Sequence, residues 1–241
     1  MSSFNKIAAH DWKERAIAEY LSAAHCSHAV TLMIQSGVSP DYIEDGLANV
    51  AQEIRHAEES LKLSIELGSE SQTLAINPES FDDPYNVQMR SIAKLAHLCA
   101  RFFCCAEFVG TRLQQKMLEN ASQASAFQLL TSIVNEEKEH SSLGWDLIED
   151  LVPNLDHLEL SSLKAAIPKY IDEIEAYYDC NHTYSSEELS WGLLNGSDYQ
   201  RISSLSLREL EDKFYKLGLI DLRRRIHTTK KSGHKLSEVS L

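Results

Sequence analysis

The sequence predicts an all-α fold, and three observations support this prediction. Hydrophobic residues recur at the 3.6-residue helical period along almost every long segment of the 241-residue chain. No segment shows the two-residue alternation that is typical of a half-buried strand. Glycine and proline are scarce, at 9 and 5 residues, which argues against sandwiches, barrels and glycine-rich phosphate loops. We therefore expect helices packed on helices.

The first two helices should form a hairpin. The first is predicted over residues 11–35 and ends before Gly37, because glycine readily adopts the positive φ found after a helix C-terminus. Pro40 opens the second helix, since proline is favoured in the first turn, and this helix should continue to about residue 67. Residues 69–84 hold two prolines and no helical period, so we expect them to form a long connection.

Two more long helices are predicted after this connection. The third should span residues 86–119, and after a short break the fourth should continue to about residue 151, before Pro153. Two antiparallel hairpins joined by one long crossover form a recognised four-helix bundle topology. Additional C-terminal helices are predicted at residues 158–178, 186–194 and 205–217.

These elements predict a single domain over residues 1–222. Residues 11–151 should form the bundle and residues 152–222 the accessory helices. Residues 223–241 are polar and basic, so we expect a flexible tail there.

The composition argues against several classes of partner and site. A formal charge of −13 would repel a phosphate backbone, so no nucleic-acid partner is expected. No apolar run approaches the ~18 residues of a membrane span, and residues 1–15 lack a hydrophobic signal core. We therefore expect a cytoplasmic protein without a membrane partner. The five cysteines form no C-x-x-C pair, which argues against a disulfide framework, a zinc ribbon or a rubredoxin module.

Two Glu-x-x-His motifs are the first candidates for chemistry. Glu53 and His56 lie in the second predicted helix, and Glu137 and His140 lie in the fourth. Because residues three apart share one helical face, the carboxylate and imidazole of each motif can reach a common metal ion.

The register of the two hairpins adds one glutamate to each motif. In an antiparallel hairpin, residues at the same height have numbers that sum to twice the centre of the loop. The first loop centres near residue 37 or 38, which places Glu19 opposite the first motif. The second loop centres near residue 122, which places Glu107 opposite the second motif.

The predicted surroundings of these four glutamates are apolar or small. For example, Glu19 has Trp12 and Ala16 on its helical face, and Glu137 has Ile133 and Val134. An unpaired carboxylate would be costly there, so the four acids must be protonated or must bind cations. Four glutamates and two histidines balance two divalent ions in charge, and this oxygen-rich set suits iron or manganese better than zinc.

With these six residues, the sequence resembles the ferritin-like superfamily of di-iron carboxylate proteins. Its pattern is one Glu from each of two helices and a Glu-x-x-His from each of the other two. The resemblance covers residues 11–151, and in length and layout the chain looks most like single-domain oxygenases such as aldehyde-deformylating oxygenase, without implying that substrate. The resemblance implies that Glu53 and Glu137 bridge two metal ions. It also implies one metal ion on each of two triads, which are Glu19, Glu53 and His56, and Glu107, Glu137 and His140.

The resemblance implies a non-haem di-iron oxygenase or oxidase that activates O2 to oxidise a small organic substrate, with two iron ions or an iron–manganese pair. No nucleotide fingerprint is present, so electrons should come from an external donor or from the substrate. Ser22, Ala23 and Gly110 lie about one turn beyond the lone glutamates. Their small size either leaves a cavity for O2 and substrate or allows close helix packing. A homodimer is compatible with these features.

Three other functions are compatible with a helical bundle of this kind. The first alternative is a ferroxidase or an iron-storage subunit, but ferritin subunits are shorter and the residues after 151 would encumber a shell. A rubrerythrin-like peroxidase is disfavoured because the rubredoxin cysteines are absent. A metal-free helical scaffold is the least favoured.

Overall fold

The computed structural model describes residues 5–70 and 88–221, and all of the regular structure in these two ranges is helical. The predicted all-α class is therefore confirmed for this part of the chain. None of the helices in these ranges is long and apolar enough to cross a membrane. Most of the predicted crossover, and the predicted basic tail, lie outside the described residues.

The first hairpin consists of α1 (Lys6–Ser36) and α2 (Pro40–Glu66), which pack along each other. Helix α1 begins five residues earlier than predicted, because the Asn5 side chain caps it by accepting a hydrogen bond from the Ala8 N–H at 3.0 Å. It ends at Gly37, whose φ of +67° reverses the chain as predicted.

The third predicted helix is continuous but not uniformly α-helical. It begins at Ser91 and comprises α3 (Ser91–Leu98), a π-helical segment (Cys99–Glu107) and α4 (Phe108–Asn120). The sequence pattern did not predict the π segment. Each π turn holds more residues than an α turn, so the segment changes which side chains face a neighbouring helix.

Helix α5 (Ala124–Leu151) agrees with the fourth predicted helix and leads into a 3₁₀ turn that contains Pro153. It packs against α4 and the π segment and also contacts α2. Helix α1 in turn contacts α3. The two pairs of helices therefore face each other across a shared interior.

The C-terminal helices are α6 (His157–Tyr177), α7 (Ser186–Ser190) and α8 (Gly196–Lys216). Helix α7 ends four residues before its predicted end, whereas α8 begins nine residues before its predicted start. Helix α8 is closely packed from its first residue, since a Cβ on Gly196 would lie 2.3 Å from the Cys180 carbonyl oxygen. Helix α6 packs on α3 and the π segment, and α8 packs on α4 and α6.

The hydrophobic core extends without a break from α1 to α8. Its largest fully buried side chains include Trp12 on α1, Phe103 in the π segment, Ile148 on α5 and Phe214 on α8. The Phe214 ring lies 5.1 Å from the ring of Trp145, centroid to centroid. The C-terminal helices therefore share one core with the four long helices.

Candidate metal centre

The structure brings together all six residues that the sequence singled out as metal ligands. Each is at most 8% exposed. They form two overlapping groups, and within each group the potential ligand atoms lie within 4.8 Å of one another. Glu53 and Glu137 belong to both groups, which are Glu19, Glu53, His56 and Glu137, and Glu53, Glu107, Glu137 and His140.

Four different helical elements supply these side chains. Glu19 comes from α1, and α2 and α5 each contribute a Glu-x-x-His pair. Glu107 is the last residue of the π segment. Because the wider π turns rotate every later side chain about the helix axis, this segment determines which way Glu107 faces.

Each histidine ring forms a hydrogen bond through its Nε2 with a residue of the other motif helix. The His56 Nε2–H donates to Glu136 Oε2 at 2.7 Å, and the His140 Nε2–H donates to Gln52 Oε1 at 2.7 Å. Arg55 also donates to Glu136 Oε2, at 2.6 Å. Metal-binding histidines usually donate their second ring N–H in this way, which sets the tautomer and the ring orientation. Sequence reasoning missed Gln52 and Glu136, although each directly precedes the glutamate of a motif.

The remaining histidine nitrogens point towards the shared glutamates. His140 Nδ1 lies 3.1 Å from Glu53 Oε1 and 3.3 Å from Glu137 Oε2. His56 Nδ1 lies 3.6 Å from Glu137 Oε1 and 3.8 Å from Glu53 Oε2. Both Nδ1 atoms, both Glu53 oxygens and one Glu137 oxygen lack a hydrogen-bond partner among the described residues. Buried polar atoms are rarely left in this way, so a group of them facing one point fits bound cations.

The carboxyl groups at the edge of the cluster hold protons unusually tightly when no cation is bound. Burial, together with the nearby charges of Glu53 and Glu137, raises the pKa of Glu19 to about 8. Burial and the same two neighbours raise the pKa of Glu107 well above its ordinary range. Both shifts reflect the cost of placing several negative charges in one buried space.

The pKa shifts of the two histidines and Glu137 favour the charged form of each group, in contrast to those of Glu19 and Glu107. Burial opposes a charge on the imidazoles, but the carboxylates of Glu137 and Glu53 outweigh it and raise the pKa of His56 to about 11 and that of His140 to about 9. Burial likewise opposes ionisation of Glu137, but the two histidines hold its pKa below the ordinary range. Without metal, protons compensate the charges, and a metal ion must displace them.

A cavity of about 780 Å³ opens beside Glu19 and Glu107, the two lone glutamates of the cluster. Ser22 and Gly110 line it, and a Cβ on Gly110 would meet no heavy atom within 4 Å. Ala23 is buried in the core and does not line the cavity. The expectation of a pocket beside the centre thus agrees with the positions of two of these three small residues.

The C-terminal part of the chain supplies one wall of this cavity. Tyr178 follows α6, Leu193 precedes α8 and Tyr199 lies in the first turns of α8. The Tyr178 and Tyr199 rings stack at 6.0 Å with an interplanar angle of 15°. Nothing in the local sequence pattern of these residues indicates which helix they contact, so their role was not predicted.

Comparison of the chain with protein-family models, curated proteins and solved structures finds no match in any of the three. The function must therefore be inferred from the chemistry of the cluster and its cavity.

Proposed function

We propose that this protein is a non-haem di-iron oxygenase or oxidase built on a ferritin-like four-helix bundle. The observation that carries the proposal is the pair of overlapping, buried ligand groups that share Glu53 and Glu137. Four carboxylates and two imidazoles provide the oxygen-rich donor set that iron and manganese prefer. The adjoining cavity provides room for O2 and a small organic substrate beside Glu19 and Glu107.

In this function, Glu19, Glu53 and His56 would hold one ion, and Glu107, Glu137 and His140 would hold the other. Two iron ions, or an iron–manganese pair, would supply the reduction of dioxygen when bound. Gln52 and Glu136 keep the histidine rings oriented through the hydrogen bonds at Nε2. Electrons would come from an external donor or from the substrate.

Gln114 is the polar side chain that connects the cluster to the cavity. It is buried, it lines the cavity, and its Nε2 donates to Glu137 Oε1 at 3.5 Å. This long hydrogen bond orients one oxygen of a shared carboxylate. Apolar cavity residues such as Leu113 and Phe102 limit the access of water to the centre.

Anaerobic titration with ferrous ions, followed by addition of oxygen, tests the proposal. Binding should saturate near two ions per chain, and oxygen should be consumed in proportion to the filled sites. Further turnover should require both a reductant and an organic substrate, because a buried site with six ligands retains its ions. Glu137→Ala should abolish saturable binding, whereas Glu139→Ala, which changes an exposed residue of the same helix, should not.

The alternative function, a ferroxidase or iron-storage subunit, gives a different result in the same experiment. It would run as a large assembly in sizing chromatography and would oxidise many ferrous ions per chain without an organic substrate. That outcome would replace the oxygenase proposal. The absence of any saturable metal binding in the wild type would contradict both functions.

A further inference from the structure

The cavity contains a largely buried guanidinium. Arg15 lies on α1 one turn before Glu19, and its side chain is only 16% exposed. Its Nη1 is 3.8 Å from Glu19 Oε1, and within residues 5–70 and 88–221 no other carboxylate is recorded within 4.0 Å of it. Its Nη2 contacts the thioether of Met117, which is a weak acceptor. The one carboxyl group recorded near Arg15 in the described part of the chain thus belongs to a proposed metal ligand, Glu19.

In the metal-loaded protein, the charge of Glu19 would be balanced by a metal ion. Two divalent ions carry four positive charges, and the four glutamates of the cluster balance them. With Glu19 bound to a metal ion, the charge of Arg15 is left without a counter-charge inside a partly enclosed cavity. A buried charge without a partner is costly, so a site of this kind favours an anion.

The other arginine of the cavity is already paired. Arg101 Nε donates to Glu173 Oε2 at 3.0 Å, and the Arg101 side chain is 41% exposed. Asp11, which also lines the cavity, accepts a hydrogen bond from the Tyr184 hydroxyl. Arg15 is therefore the cation that is placed to receive an anionic group from a ligand.

The cavity wall around Arg15 suits a carbon skeleton rather than an inorganic ion. The Trp12 ring lies 5.2 Å from the guanidinium carbon, and Leu113 and the stacked pair Tyr178 and Tyr199 also line the space. A volume of about 780 Å³ lies within the range of roughly 300–1,000 Å³ that is common for organic ligands.

We propose that the substrate of this centre is an organic carboxylate whose acid group pairs with Arg15. Arg15 Nη1 lies 3.8 Å from Glu19 Oε1, which places an acid group bound to Arg15 beside a proposed metal ligand. The planar guanidinium can bind a carboxylate through two parallel hydrogen bonds. This inference rests on the proposed function and adds the chemical class of the substrate.

The test compares acids with neutral ligands of the same carbon skeleton. The probes are octanoate against octan-1-ol, and 3-phenylpropionate against 3-phenylpropan-1-ol, added to protein loaded with two equivalents of Mn²⁺. Tryptophan fluorescence reports binding, because Trp12 lines the cavity. The affinity for each acid should exceed that for its alcohol by about tenfold or more, which is the gain expected from a charge-assisted hydrogen bond.

Three variants connect the preference to Arg15. Arg15→Gln should reduce acid binding at least to the level of the alcohol, and Arg15→Lys should retain part of the preference because it keeps the charge without the planar fork. Arg101→Gln is the matched control, and the preference should persist because the Arg101 guanidinium is already engaged by Glu173. Circular dichroism and the metal content establish that each variant is folded and loaded. If Arg15→Gln does not fold, Arg15→Lys and the wild-type comparison still decide the outcome.

Two results would overturn the inference. One is equal binding of acids and alcohols by the wild type, and the other is an acid preference that survives in Arg15→Gln, which would place the acid on the metal ions. Either result leaves the proposed function intact if two metals bind. Failure of metal binding would instead contradict the proposed function. If the protein binds no metal but still prefers acids through Arg15, the carboxylate site would remain supported.

Discussion

At the scale of single residues, four of the six candidate ligands hold their protons more tightly than usual. The pKa is raised to about 8 for Glu19, about 9 for His140 and about 11 for His56, and well above the ordinary range for Glu107. Each group binds its proton more tightly in the folded state than in the unfolded chain. The stability it contributes is therefore complete below its ordinary pKa and is lost as the pH rises through the raised value.

Metal-free protein should consequently lose stability between pH 7 and pH 9, whereas metal-loaded protein should lose less. The difference in melting temperature between the two forms should widen with pH, because each proton that a metal displaces is worth about 1.4 kcal/mol per pH unit. Glu137, whose pKa is lowered, is ionised throughout this window and adds no slope. Scanning calorimetry of both forms measures the effect, and a difference that does not depend on pH would contradict it.

At the scale of elements, the candidate metal centre depends on a close contact between α5 and the π segment. A Cβ on Gly144 would lie 2.4 Å from Phe103 Cβ, so only glycine allows this approach. The Cys99 thiol donates to the Gly144 carbonyl oxygen at 3.0 Å. The contact holds the helix that carries Glu137 against the segment that ends at Glu107.

Gly144→Ala should therefore destabilise the protein by about 1–3 kcal/mol, the usual cost of overpacking a core. Gly110→Ala is the matched control, because a Cβ there meets no heavy atom within 4 Å and alanine favours a helix. It should leave stability unchanged or raise it slightly. Urea denaturation of the two metal-loaded variants makes the comparison, and equal losses would argue against a special role for the Gly144 contact.

At the scale of the whole molecule, the C-terminal helices and the four long helices share one hydrophobic core. Phe214 on α8 is fully buried against Trp145 on α5, the helix that also carries one Glu-x-x-His motif. Because domains divide where few buried contacts cross, this packing favours a single cooperative unit.

Phe214→Ala should cost about 3–5 kcal/mol and destabilise the metal centre together with the rest of the fold. Near-ultraviolet circular dichroism and metal release should report one coincident unfolding transition. Leu205→Ala, on the same helix but 50% exposed, should change stability by less than about 0.5 kcal/mol. A second transition in which metal remains bound after α8 has unfolded would show that the bundle is independent of its accessory helices.

The sequence by itself determined the helical class, the hairpin turn and the candidate ligands. Gly37 and Pro40 mark the turn because positive φ and a missing N–H act within a few residues. Periodicity within each helix and register within each hairpin were enough to select Glu19 and Glu107 as partners of the two motifs. Both kinds of evidence are local, or need only the antiparallel pairing of consecutive helices.

Only the tertiary structure decided the features that depend on which helices become neighbours. The bonds from Gln52 and Glu136 cross between α2 and α5, and the wall formed by Tyr178 and Tyr199 joins segments far from the ligands in the chain. The π segment likewise has no sequence signature that we detected. The bonds and the wall depend on packing between elements distant in sequence, and a helical period reports which face of a helix is buried but not what covers it.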